Sequence, residues 1–245
     1  AMTEFDIEPN HFDSGIIAPK VGTLRVRGRP SNPNAIGEFV ASHGRAAGYD
    51  LISLSLSSYE SIRGCQHVGT LLDLEGEADL VLRRLQGVPT PHSVTLRVLT
   101  DSKEVEPLLE FSNQTRFSAD KHVAPVLVRR HKMKLLEHYV AQNPNFAAVA
   151  IDSNNAVAGF QISYVEKDVF VFYEIVVVPL YRTGFLAASL LAYNLRRLLA
   201  ARPDIRRVKT GIYGDNAASR GFFARIGLAD VGRARFYYHC WTTDG

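Results

Sequence analysis

The segment "NAASRGFFARIGL", Asn216 to Leu228, decides how the rest of the chain is read. Asn216 is a favoured helix N-cap and Gly227 a favoured terminator, and the spacing N-x-x-S-x-x-x-F-x-x-x-G-L predicts a short capped helix from Ala217 to Arg225. It lies between "RVKTGI" and "ARFYYHCW", both of strand composition. Alternation in the last of these puts Tyr237, His239 and Trp241 on one face, with Phe236, Tyr238 and Cys240 on the other.

Immediately upstream is "VPLYRTGFLAASLLAYNLRRLLAARPD", Val178 to Asp204: a strand end, a proline, Arg-Thr-Gly, then a long helix from Phe185 to Arg202. The first amides of such a helix lack intrahelical partners and sit at the positive end of its dipole, so the turn is suited to an anion. Gly184 lets the chain enter tightly and Arg182 can add a charge-assisted contact. Taken alone, the same residues also describe an ordinary strand-to-helix turn.

Further upstream, "NFAAVAID", "AVAGFQISYVEK" and "VFVFYEIVVV" read as an antiparallel meander with reversals at "SNN" and at Lys167-Asp168. Two helices precede it, one opening at Asp101 with Glu104 in capping-box position and one over residues 126–141, and before them "SVTLRVLT" reads as a strand. "LQGVPTPHS" interrupts the pattern as a linker and divides the chain into 1–87, a linker at 88–92, and 93–245. In the first part a helix spans residues 34–48, "LISLSLS" is a strand, and a short helix and a hairpin turning at "EGE" follow. The resulting fold class is mixed α/β. A weak echo between "SLSSYESIRGCQHVGTLLDLEGEADLVLRR" and "GIYGDNAASRGFFARIGLADVGRARFYYHC" makes the first part a shortened copy of the second.

Together these segments resemble the GNAT superfamily of acetyl-CoA-dependent N-acyltransferases. That family's second motif runs N-x-x-A-x-x-x-Y-x-x-x-G-F, and its first is (Q/R)-x-x-G-x-(G/A) after a strand ending V-x-P-x-Y, matched here by Val177, Pro179, Tyr181, Arg182 and Ala187. The resemblance covers about Ser93 to Trp241. It implies a GNAT fold with a mixed, mostly antiparallel central sheet, preceded by a smaller truncated GNAT-like α/β domain. It also implies acetyl-CoA as acyl donor, with pantetheine along Val176, Val177 and Val178, and pyrophosphate on the amides of Arg182, Thr183, Gly184, Phe185, Leu186 and Ala187. Asn216 and Phe223 join the cofactor site, and Glu174 is the candidate base, with an exposed strand charge as its competing role.

Two positions depart from the family pattern. The central glycine of the phosphate loop falls on Phe185, with Gly184 one place early, and the tyrosine that often protonates the leaving thiolate falls on Phe223. The dTDP-4-amino-4,6-dideoxygalactose (dTDP-fucosamine) N-acetyltransferases are similar in arrangement, which implies a nucleotide-linked amino sugar as acceptor and makes Arg116 and Phe117, in "RFSAD", candidate substrate contacts. Other amines such as amino acids, polyamines or antibiotics, and a catalytically silent acyl-CoA-binding protein, are the alternatives.

Composition bounds the partners. With 28 basic and 25 acidic residues in 245, the charge does not indicate nucleic-acid binding, and the expected partner is a small-molecule amine, with a homodimer left open. No charged leader with an apolar core is evident, and the apolar runs are short of the ~20 residues of a membrane span, so no membrane association is expected. Cys65 and Cys240 are far apart and lack metal-ligand spacing, so neither a disulfide nor a metal site is expected, and the compartment is expected to be the reducing cytoplasm.

Overall fold

The computed structural model describes residues 4–28, 30, 32–112, 115–143, 145–182 and 185–242. In chain order the elements are β1 (Glu4–Pro9), β2 (Val21–Arg27), α1 (Asn34–Phe39), β3 (Leu51–Leu56), β4 (Gln66–Glu77), α2 (Ala78–Gln86) and β5 (Val94–Val98). Then come a 3-10 helix (Ser102–Phe111), α3 (Pro125–Gln142), β6 (Ala147–Asp152), β7 (Val157–Glu166), β8 (Val169–Val177), α4 (Leu186–Ala201), β9 (Arg207–Tyr213), α5 (Ala217–Arg225) and β10 (Ala229–Trp241). The described ladders β1–β2, β3–β10, β5–β6, β6–β7 and β7–β8 are antiparallel, whereas β2–β3 and β8–β9 are parallel. This is the mixed, mostly antiparallel α/β arrangement expected.

The chain forms two compact units that do not follow the 1–87 and 93–245 division. Unit 1 holds residues 1–71, 114–131 and 233–245, and unit 2 holds 72–113 and 132–232. Strand β4 therefore begins in unit 1 and ends in unit 2, and β10 does the reverse. Each copy of the repeated pattern gives up the end of its last strand to complete the other unit.

Within unit 1 the strand order is β1-β2-β3-β10. Leu24, Ile36, Ile52, Leu54, Tyr238 and Cys240 make one apolar cluster, and Val21, Leu51, Phe117 and Val128 belong to another. The expected alternation in β10 holds: Tyr238 and Cys240 lie in the first cluster, and Trp241 packs on the second. Within unit 2 the order is β4-β9-β8-β7-β6-β5. Helices α2, α4 and α5 supply Val81, Leu195 and Phe223 to a core with Phe170 and Phe172. The 3-10 helix and α3 supply Leu108 and Leu136 to a second core with Val149, Phe160 and Val176.

Several local expectations are corrected. "EGE" is not a hairpin turn, because β4 runs straight through it; a Cβ at Gly76 would stand 2.6 Å from the carbonyl oxygen of Gly227, so the glycine serves a close backbone approach. No helix forms over residues 57–65. The helix after Asp101 is 3-10 rather than α, with Asp101 accepting from the amide of Lys103; Pro107, inside it, has no N–H to donate. The largest correction concerns the cysteines. Cys65 and Cys240 form a disulfide across 175 residues of sequence, with Cα atoms 4.3 Å apart. Distance along the chain was no guide, because the exchanged end of β10 carries Cys240 into unit 1, and cysteine usage no longer supports a reducing compartment. No helix among the described residues is long and apolar enough to cross a membrane.

Candidate active site

The site in unit 2 is built on one irregularity and one divergence of strands. The parallel β8–β9 ladder runs from Val169↔Arg207 to Phe172↔Thr210 and then stops, although β8 continues to Val177 and β9 to Tyr213. Along its other edge β8 stays paired with β7 as far as Gly159↔Val177. The amide of Val178 donates to Ala158 O at 3.0 Å on the β7 side. Successive residues of a strand present their polar groups to opposite edges, so Val177 and Ile175 present theirs to the edge where no β9 rung follows. That exposed run of main chain is what a pantetheine arm needs, as in strand addition.

At the divergence the β7–β8 register slips: Ile162 opposes Glu174, but Ser163 opposes Phe172, leaving Tyr173 as the extra residue of a β-bulge. The consequence is a change of face. Tyr173 packs against the core that contains Leu136 of α3, while Ile175, two residues on, packs against the opposite core with Leu195 and Phe223. Glu174 acts electrostatically on Lys132 of α3: burial lowers the ammonium's pKa, and the nearby carboxylate pulls it back up. The Tyr173 ring lies 4.2 Å from Tyr139, tilted by 40°, and 6.0 Å from Tyr164 between ring centroids. Burial, then the neighbouring hydroxyls and Glu174, push its phenol well above its ordinary pKa, so it stays protonated. Tyr139 and Tyr164 were invisible as site residues in the sequence; the bulge that gathers them leaves no signature in residue types.

Beyond β8 the chain makes a 3-10 turn over Pro179–Tyr181 and enters α4 through Phe185, which offers no side-chain cap. Phe185 thus gives the first-turn amides of Leu186 and Ala187 no side-chain acceptor. Thr183 and Gly184 lie outside the described residues. Arg182 is exposed but folds back on the strand: its Nε donates to Val177 O at 3.0 Å, and its guanidinium lies 5.9 Å from the Phe111 ring. It thus joins the helix entrance to the open strand edge. Val176 and Val178 turn their main-chain groups to β7 and their side chains to the core beside α3, so of the three valines only Val177 presents main chain to the open edge.

Asn216 and Phe223 have structural partners. Asn216 caps α5, its Oδ1 accepting from the amide of Ser219 at 3.0 Å. Phe223 is 4% exposed and stacks on Phe172 at 6.5 Å, inside the core. Arg116 and Phe117 belong to unit 1, where Phe117 is fully buried and Arg116 pairs with Asp13 at 2.8 Å.

Those last residues belong to a buried polar cluster in unit 1 that the sequence did not reveal. Asp13 accepts from Asn10, Arg116 and His131, the last at 2.8 Å. Asp120 accepts from the amide of His122, from His239 Nδ1 at 2.6 Å and from Trp241 Nε1 at 3.0 Å. The Phe117 ring lies 4.6 Å from His131 and 4.9 Å from His239. Desolvation opposes charge on both aspartates, yet three donors each hold their pKa values below the ordinary range. His131, on α3, finds its partner 118 residues away in the sequence.

Among the described residues no group of His, Cys, Asp or Glu could hold a metal ion. The residues of the β8–β9 opening do suit coenzyme A: a strand edge without β9 rungs for the amides of the arm, and a helix entrance at Phe185 without a side-chain cap for its phosphates.

No protein-family model matches the sequence, and no curated protein matches it. Solved structures do, and they establish the fold as that of the GNAT acetyltransferases. A tandem GNAT protein from the clavulanic acid biosynthesis pathway is 14% identical with a TM-score of 0.62, covering 92% of this chain and 76% of its own. A GCN5-related N-acetyltransferase from Sphaerobacter thermophilus is 10% identical with a TM-score of 0.60, covering 99% and 78% respectively. A conserved protein of unknown function from Staphylococcus epidermidis is 14% identical with a TM-score of 0.62, covering 91% and 85%.

Proposed function

We propose that the chain is an acetyl-CoA-dependent N-acetyltransferase acting on a primary amine of a small molecule. The observation that carries this reading is the β8–β9 opening, in which an unpaired strand edge leads to an uncapped helix end with Glu174 at the bulge between. When bound, acetyl-CoA supplies the acetyl group as a thioester. The main chain of Ile175 and Val177 orients the arm, and the first amides of α4 hold the phosphates. Glu174 takes the proton from the acceptor ammonium, directly or through water, so that a neutral amine is available. Lys132 beside it favours the ionised carboxylate that this task needs. Phe223 has no proton to give, so the leaving group is protonated by another donor.

For the acceptor we favour a nucleotide-linked amino sugar, on the sequence resemblance alone. Other amines form the second class. The missing hydroxyl at Phe223 is the observation favouring a silent acyl-CoA-binding protein instead.

The test is a thermal shift with acetyl-CoA followed by acceptor-dependent release of the coenzyme A thiol. Stabilisation by acetyl-CoA, with thiol release on adding a TDP-linked 4-amino sugar, is expected. Release only with polyamines, amino acids or aminoglycosides moves the acceptor; stabilisation without release to any amine supports the binding protein; absence of stabilisation ends the reading.

A further inference from the structure

Unit 1 repeats the design of the β8–β9 opening. Its parallel β2–β3 ladder runs only from Val21↔Leu51 to Thr23↔Ser53, while β2 continues to Arg27 and β3 to Leu56. Leu24 and Leu54, the first residues past the last rung, face the apolar cluster of Ile36, Val40 and Tyr238. In unit 2 the corresponding β9-to-β10 connection is the helix α5. In unit 1 the β3-to-β4 connection has no helix, and its residues 60–65 lie as a strap on α1 and β10.

Each contact of this strap is specific. The amide of Glu60 donates to the Tyr238 hydroxyl at 2.8 Å, and that hydroxyl donates to Glu60 O at 2.9 Å. Ile62 is buried in the apolar cluster with Leu24, Ile36 and Leu54. The amide of Arg63 donates to Asn34 Oδ1 at 3.1 Å, at the start of α1. Arg63 O comes so close to Gly37 that a Cβ there would stand 2.1 Å away, so only glycine lets the strap seat on the helix. The far end is fixed by the Cys65–Cys240 disulfide. Both ends are thus held by β10, through Tyr238 and Cys240, two residues apart on one face.

We propose that residues 60–65 are a redox-released strap: they occupy the opening of unit 1 with the chain's own residues, and the Cys65–Cys240 disulfide keeps them there. A dithiol reductant supplies the two electrons; the S–S bond breaks, Cys65 and Cys240 become thiols, and the reductant becomes a disulfide. Release uncovers Leu24, Ile36 and Leu54 and leaves the strap held by the Tyr238 bonds and by Asn34. This proposal does not depend on the acetyltransferase reading.

The test is amide hydrogen exchange on the full chain with and without dithiothreitol, with thiols counted beforehand in denatured, unreduced protein. No free thiol is expected before reduction. On reduction, peptides covering 60–65 should exchange faster by roughly tenfold or more, while those covering β8 and β9 stay unchanged. Cys65→Ser should match the reduced chain and no longer respond to the reductant; if that variant fails to fold, reduced wild-type protein carries the same comparison. Two thiols free before reduction, or unchanged exchange over 60–65 after it, would overturn the proposal.

Discussion

Asn194, on the buried face of α4, donates its amide to the side-chain oxygen of Gln161 in the middle of β7. The same Nδ2 also reaches Phe146 O at 3.0 Å, and Gln161 passes the bond on to Ser163 Oγ at 2.6 Å. Asn194 and Gln161 are both fully buried. To the apolar packing of α4 this polar chain adds a set of bonds that forms in only one register of helix against strand. It therefore fixes where the first turn of α4 meets the end of β8. Asn194→Ala leaves the buried Gln161 Oε1 without its donor, while Phe146 O keeps the amide of Ser163, and should cost about 1–3 kcal/mol in urea unfolding. The double variant Asn194→Leu/Gln161→Leu should cost clearly less than the two single changes summed; additive costs would show that the pair does not act as a unit.

Restoring the family's tyrosine at position 223 should not create a catalyst. Phe223 is enclosed with Phe172, Phe222 and Leu191, so the hydroxyl of Phe223→Tyr enters an apolar core. A loss of about 1–3 kcal/mol in stability is expected, with turnover no higher than in the parent. A large gain in turnover would show that the core opens to admit the thioester.

Glu174→Gln separates binding from chemistry. The substitution keeps shape and removes the proposed base, so turnover should fall by roughly a hundredfold or more, while the thermal shift given by acetyl-CoA stays within about 1 °C. Lys132→Met removes the cation that acts on this carboxylate. It should move the acidic limb of the rate profile to higher pH, because the carboxylate loses a cation that favours ionisation. An unmoved limb would exclude that coupling.

Unit 1 should lose stability in acid in two steps. Burial, against the pull of Asp120, holds the pKa of His239 below its ordinary 6.5, so the unfolded chain takes up a proton that the folded chain refuses. Stability from this group is complete above about pH 6.5 and falls as the pH drops below it. Asp13 and Asp120 are also depressed from 3.8, so a further loss begins as the pH approaches 4. Asp120→Asn should cost about 3–5 kcal/mol at neutral pH and flatten the second step. Denaturant midpoints between pH 8 and pH 3 report both effects, and a midpoint constant over that range would refute the assignment.

Sequence reading went furthest where information is local. The strands β6 to β8, the helix α4 and the capped α5 follow from periodicity and from Asn216 and Gly227, whose roles depend on neighbours three or four residues away. The bulge at Tyr173 was not legible, because it is a property of register between two strands that any residue can occupy. Nor were the dyads Asp13–His131 and Asp120–His239, whose partners are more than a hundred residues apart. The cysteines failed for the same reason. Arg182 was identified as an anion ligand from its position, but its bond to Val177 O depends on how the turn folds back.

The crossing of β4 and β10 between units also sets a timetable. The strand that completes unit 1 is made long after β3, so the N-terminal part of the newborn chain must wait, with Ile52, Leu54 and their neighbours uncovered, until β10 has left the ribosome. At ~5–20 residues per second that interval is on the order of ten seconds or more. A polypeptide cut anywhere between the two strands would leave two pieces that each lack a closing strand, and unit 1 gains its disulfide only after Cys240 has been made and has left the ribosome.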